Sequence, residues 1–111
     1  MSKILKKIDQ LADAECSVLM QGNRPLGSTF PKDKIIYIKI ALQSFGHIFK
    51  QADHLSPGYD EAHLQLSKQR LLCFRIGNGT YISLLKKGSD VQKAQRVIRG
   101  ARETLLTLLK E

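Results

Sequence analysis

Residues 70–85 read Arg-Leu-Leu-Cys-Phe-Arg-Ile-Gly-Asn-Gly-Thr-Tyr-Ile-Ser-Leu-Leu. Two runs rich in apolar and β-branched residues flank Gly77-Asn78-Gly79, whose glycines accept the backbone angles of a tight hairpin turn. The stretch predicts a strand over 70–76 and its return over 80–85. Just upstream, Ala62, Leu64 and Leu66 alternate with Glu61, His63 and Gln65, the period-two pattern of a strand with one face exposed. Lys68-Gln69 supplies a weaker turn between the two. Three successive strands make an antiparallel meander.

Downstream of the meander, Ser89-Asp90-Val91-Gln92 matches a capping box, with the Ser89 hydroxyl and the Gln92 side chain closing the first turn of a helix. Its buried face is predicted as Val91, Ala94, Val97, Ile98, Ala101, Leu105, Leu108 and Leu109. Gln92, Lys93, Arg96, Arg99 and Glu103 lie opposite, with Arg99 and Glu103 spaced as an i,i+4 pair. Gly100 falls on the polar side, inside this helix, where glycine costs about 1 kcal/mol relative to alanine.

Upstream of the meander, Asp53 to Asp60 is punctuated by Pro57-Gly58 and reads as a loop. From Pro31 to about Ala52 runs the longest helix. Proline suits a first helical turn, and Asp33 lies where the helix dipole favours an anion. Ile35, Ile38, Leu42, Phe45 and Phe49 form one apolar stripe, while Ile36, Tyr37, Ile40, Ala41 and Ile48 fall largely outside it. A helix apolar on two sides is sandwiched between two surfaces. In so short a chain, a second molecule is the candidate for one of them.

The N-terminal segment places Ile4, Leu5, Ile8, Leu11 and Ala12 at helical spacing, interleaved with Lys3, Lys6, Lys7 and Asp9, and ends near Asp13 to Glu15. Cys16 to Met20 then reads as a buried strand and Gln21 to Arg24 as a turn. Pro25 to Thr29 is the returning strand, placed at a sheet edge because proline donates no ladder hydrogen bond. The order is helix, two strands, long helix, three strands, helix, with no internal repeat.

At 111 residues the chain fits one domain, residues 1–111, large enough to bury roughly 65% of its unfolded surface. A 25% content of charged residues against 42% hydrophobic is globular rather than disordered. No apolar run approaches the roughly 18 residues of a membrane span. Met1 to Gln10 lacks the continuous apolar stretch of a signal peptide, so the expected location is the cytoplasm. Cys16 and Cys73, without a CxxC partner, are expected as buried free thiols.

Chemistry-bearing patterns are sparse. His47, His54 and His63 match no metal-ligand spacing. Neither a Walker motif nor a GxGxxG after a strand is present, and no Ser-His-Asp or Cys-His arrangement is legible. The chain reads as a non-enzyme without cofactor or metal. Its strongest bias is electrostatic: a net charge of +8 attracts nucleic acid, acidic protein surfaces or anionic membrane.

The element order, carried by Ser17 to Thr29, Arg70 to Leu85 and the helix from Ser89 onward, resembles the roadblock family of dynein-associated light chains and their bacterial relatives over nearly the whole chain. The resemblance implies an α/β (α+β) domain: a five-stranded antiparallel sheet with one long helix on one face and the two terminal helices on the other, in the order α-β-β-α-β-β-β-α. It further implies dimerisation through the long helix and the third strand. Its members serve as subunits of motor or other multiprotein complexes, or as regulators of small Ras-like GTPases.

On these grounds the expected homodimer interface is Ile36, Tyr37, Ile40, Ala41, Ser44 and Ile48 on the helix, with His63 and Gln65 on the strand. A basic patch of Lys86, Lys87, Lys93, Arg96 and Arg99 is the candidate surface for an acidic partner. Two alternatives stay open: a basic nucleic-acid-binding module using that patch, and a PAS- or profilin-like small-molecule sensor. The sensor would need a polar cluster inside the core, which the sequence does not display.

Overall fold

A computed structural model describes residues 2–22, 24–55, 61–66 and 69–110, without the side chains at 2, 48, 51–55, 66 and 110. In chain order the elements are α1 (Ser2–Ala12), β1 (Ala14–Gln21), β2 (Arg24–Ser28), a 3-10 turn (Lys32–Lys34), α2 (Ile35–Leu55), β3 (Glu61–Leu66), β4 (Gln69–Ile76), β5 (Gly79–Leu85), α3 (Val91–Gly100) and α4 (Arg102–Lys110). The strands form one antiparallel sheet in the spatial order β2-β1-β5-β4-β3.

The decisive hairpin forms as its sequence requires. Ile76 pairs with Gly79 across the two-residue loop, and Gly77 takes φ +58°, the position where a type II′ turn places glycine. Gly79 is constrained differently. A Cβ there would come within 2.8 Å of the Met20 carbonyl oxygen and 2.6 Å of Leu109, so the absence of a side chain lets α4 sit down on the sheet.

The three central strands are covered on both faces, which is why their sequences are densely apolar rather than alternating. On one face Cys16, Val18, Met20, Leu71, Cys73, Ile82 and Leu84 pack under α2 through Ala41, Phe45 and Phe49. On the other, Leu19, Leu72, Phe74, Ile76, Tyr81 and Leu85 pack under α1, α3 and α4 through Leu5, Ile8, Ala94, Ile98, Leu105, Leu108 and Leu109. The implied layering, one long helix against the terminal helices, is the observed one. Cys16 and Cys73 are buried free thiols, each pushed up to about 12 by burial, which disfavours the thiolate.

Several local expectations change. The final helix is two: Gly100 closes α3, Ala101 forms the turn, and its N–H reaches back to the Val97 and Ile98 carbonyls. Gly100 is therefore at a helix end, not in an interior. The N-cap is Asp90 rather than Ser89, its carboxylate accepting from the N–H groups of Gln92 and Lys93 at 3.0 and 3.2 Å. Ser89 instead donates to the Asp13 carbonyl at 2.7 Å, tying the start of α3 to the end of α1. Arg99 pairs with Glu61 of β3 through two 2.8 Å hydrogen bonds, not with Glu103. The long helix continues through Asp53 and His54 to Leu55. Asn23, Ser56 to Asp60 of the expected loop, and Ser67-Lys68 lie outside the described residues.

Candidate functional site

The long helix decides the site. Its buried stripe is Ala41, Phe45 and Phe49, with Tyr37, Ile38 and Leu42 packed partly against the same core. Phe45 and Phe49 lie with ring centroids 6.4 Å apart, and the Arg75 guanidinium sits 4.4 Å from the centre of the Phe49 ring, anchoring α2 over β4.

Beside this stripe, Ile36, Ile40 and Ser44 recur at i, i+4 and i+8 and so share one flank of the helix. Ile36 is 55% exposed, and Ile40 and Ser44 are half-buried. Ile35, assigned from the sequence to the inner stripe, is instead 45% exposed. Ala41 is corrected in the opposite sense: it is fully buried against the sheet and has no surface left for a partner. Tyr37 spans the boundary between flank and core. The Ile48 side chain lies outside the described residues.

β3 is an edge strand that pairs with β4 alone among the described residues. Ala62 and Leu64 turn toward the α2 side. His63 and Gln65, opposite Leu72 and Arg70, turn to the other face and are exposed. The expected interface thus divides between the two sides of the sheet. Ala62 and Leu64 are the β3 residues packed against the core under α2, and the sequence signal for them was the alternation itself. An open strand edge offers unpaired N–H and C=O groups to any chain that can add to it.

Of the five basic residues grouped from the sequence, all are exposed but two are engaged. Arg99 is held by Glu61, and Lys86 lies 3.8 Å from the Asp13 carboxylate. Lys93 and Arg96 stand on the outer side of α3, and Lys87 in the turn before it. A shallow depression of about 250 Å³ is lined by Gln65, Arg70, Leu85, Lys86, Gly88 and Ser89. Among the described residues no group of His, Cys, Asp and Glu could hold a metal ion, and no helix is long and apolar enough to cross a membrane. His47 and His63 are exposed on different elements, and the His54 side chain lies outside the described residues.

A buried polar cluster that the sequence did not reveal lies under α1. Asp9, counted among the polar positions, is only 6% exposed, and Ser17 and Ser83 are wholly buried. Thr29 Oγ1 accepts from the Ser17 N–H at 2.8 Å and donates to the Asp9 carboxylate at 2.7 Å. Burial raises Asp9 above its ordinary value, outweighing the hydrogen bonds that favour the anion. The neighbouring Tyr81 phenol is raised by burial as well. The cluster joins α1 to β1 and β2 and encloses no described cavity.

No family profile matches the chain, and no curated protein matches it in sequence. Solved structures do match, over nearly its full length. MglB of Myxococcus xanthus superposes with a TM-score of 0.79 at 12% identity, covering 98% of this chain and 94% of that one. A roadblock/LC7 domain from Streptomyces avermitilis gives 0.70 at 10% identity, covering 96% and 98%.

The chain has the roadblock/LC7 fold.

Two further structures with this fold extend the comparison. The gliding protein MglB of Thermus thermophilus superposes with a TM-score of 0.78 at 13% identity, covering 96% of this chain and 85% of that one. An MglB structure described as a tetrameric arrangement gives 0.79 at 13% identity, with the same coverage.

Proposed function

We propose that this roadblock-fold chain is a non-catalytic dimerising scaffold or regulatory subunit, self-associating through the α2 flank and the open edge of β3. One observation carries the reading. The helix has already filled its place on the sheet with Ala41, Phe45 and Phe49, yet it presents Ile36 and Ile40 on a second flank. An exposed isoleucine and a half-buried one on the same helix flank, in a chain whose sheet ends on an open strand edge, match the composition of an interface core. Tyr37, Ser44, Ala62 and Leu64 would border the contact, with His63 and Gln65 at its rim on the opposite side of the sheet. The tetrameric arrangement described for one MglB supports self-association as a property compatible with the fold. The roadblock resemblance offers the partner class: a small Ras-like GTPase, or a motor or other multiprotein complex in the cytoplasm.

The experiment is the molar mass in solution, by size-exclusion chromatography with light scattering. A dimer near twice 12.5 kDa is expected. Ile36→Asp should yield a folded monomer, because a charge enclosed in a dry interface costs several kcal/mol. Ile40→Asp should do the same, but Ile40 is partly buried within the chain, so Ile36 is the cleaner site. A monomeric wild type, or a dimer indifferent to Ile36→Asp, would remove this surface as the interface.

A further inference from the structure

α1 and α3 pack against each other on the sheet face opposite α2. α3 begins where α1 ends, joined there by the Ser89–Asp13 hydrogen bond. Each helix turns its apolar stripe to the sheet, Leu5 and Ile8 from one, Ala94 and Ile98 from the other. Their outer sides therefore face solvent in a common direction. Lys3, Lys6 and Lys7 are exposed on α1, and Lys93 and Arg96 on α3.

Acids offset these cations only in part. The one acid of α1, Asp9, is buried, and α3 contains none. At the helix ends, Asp13 is engaged by Ser89 and Lys86, while Asp90 caps α3 through its carboxylate. We propose that the α1–α3 face is a docking surface for an anionic lipid membrane.

Three features select lipid over the other anionic partners. The cations are mostly lysines, which protein interfaces avoid because the ammonium is strongly hydrated, and which lie readily at a headgroup layer. Neither helix contains an aromatic residue, so there is no ring on which to stack an unpaired base and no aromatic anchor for a protein hot spot. The surface also carries an apolar element among its charges, since Leu11 on α1 is 54% exposed, and lysine stems and leucine suit the boundary between headgroups and acyl chains.

The single chain suffices for this face. A dimer formed through α2 and β3 would add to it, because continuing the sheet across β3 sets both α1–α3 layers on the same side. That doubling rests on the proposed dimer, whereas the lipid-binding face does not.

The test is co-sedimentation of the full chain with phosphatidylcholine vesicles, with and without phosphatidylserine. Retention only on the phosphatidylserine vesicles is expected, falling as salt is raised. Each cation near an anionic surface strengthens binding roughly fivefold, so the double variant Lys7→Gln/Arg96→Gln should bind about twenty-five-fold more weakly. Both side chains are exposed, and an unchanged melting temperature would confirm that the fold is intact. Ile36→Asp should weaken binding by loss of valency yet keep its dependence on phosphatidylserine. A failed dimer is thereby distinguished from a failed membrane face. Absence of retention, equal retention on both vesicles, or a double variant that binds like wild type would overturn the proposal. So would binding of duplex DNA by Lys7 and Arg96 without vesicle binding, which would assign the face to nucleic acid.

Discussion

Asp9 shows how one residue can be misplaced by pattern and then explained by chemistry. Between Ile8 and Gln10 it reads as one more polar position on an amphipathic helix. Its helical angle, however, carries it toward β1 and β2, where Thr29 meets it with a hydroxyl. Because burial raises its pKa, the folded state holds the Asp9 proton more firmly than the unfolded chain does. The resulting stability is fully present below the ordinary value of 3.8 and is lost as the pH rises through the folded-state value. Asp9→Asn removes the ionisation while leaving an oxygen for Thr29. Its melting temperature should match wild type near pH 4 and exceed it increasingly toward pH 7. Thermal melts of both proteins across this range check the prediction. A variant that falls further below wild type as the pH rises would mean that the carboxylate is held there as a favourable anion.

The elements were legible wherever one periodicity dominated. Strands β4 and β5 were fixed by Gly77-Asn78-Gly79 between two apolar runs, and α2 by its length and its surplus of isoleucine and phenylalanine. What failed were choices that depend on a side chain's reach. Ser89 and Asp90 are both good caps, and the sequence has no means of showing that Ser89 is drawn away to the Asp13 carbonyl. Arg99 prefers Glu61, distant in sequence, over Glu103 because β3 lies beside α3. The break at Ala101 was visible as an oddly placed Gly100, a signal that suggested a flaw in one helix rather than the end of it. Ala41 was assigned outward because its place on α2 lies at the margin between the two apolar sets. The cap carries its own prediction. Asp90→Ala should destabilise the domain by about 1 kcal/mol, a drop of roughly 4–8 °C in melting temperature. Asp90→Asn, which keeps the accepting oxygen, should lose much less, and differential scanning calorimetry would resolve the two.

At the scale of the whole molecule, the sheet separates two kinds of surface. The α2 side is apolar beyond what the core consumes, and the α1–α3 side is basic beyond what its acids neutralise. The fold explains why neither surplus could be assigned from the sequence alone. Which side of the sheet a residue takes, and which strand ends at an edge, depends on a strand order in which β5 inserts between β1 and β4. Self-association has a thermodynamic signature that does not depend on molar mass. If folding and pairing are coupled, dilution favours the unfolded chains by mass action, and a hundredfold decrease in concentration removes roughly 2.7 kcal/mol of stability per dimer. The melting temperature of the wild type should therefore fall on dilution, while that of Ile36→Asp, already monomeric, should not move. Two melts of each protein at concentrations a hundredfold apart make the comparison. A wild-type melting temperature that ignores dilution would place the apolar flank of α2 in solvent, and Ile36 and Ile40 would then have to meet a partner other than their own copies.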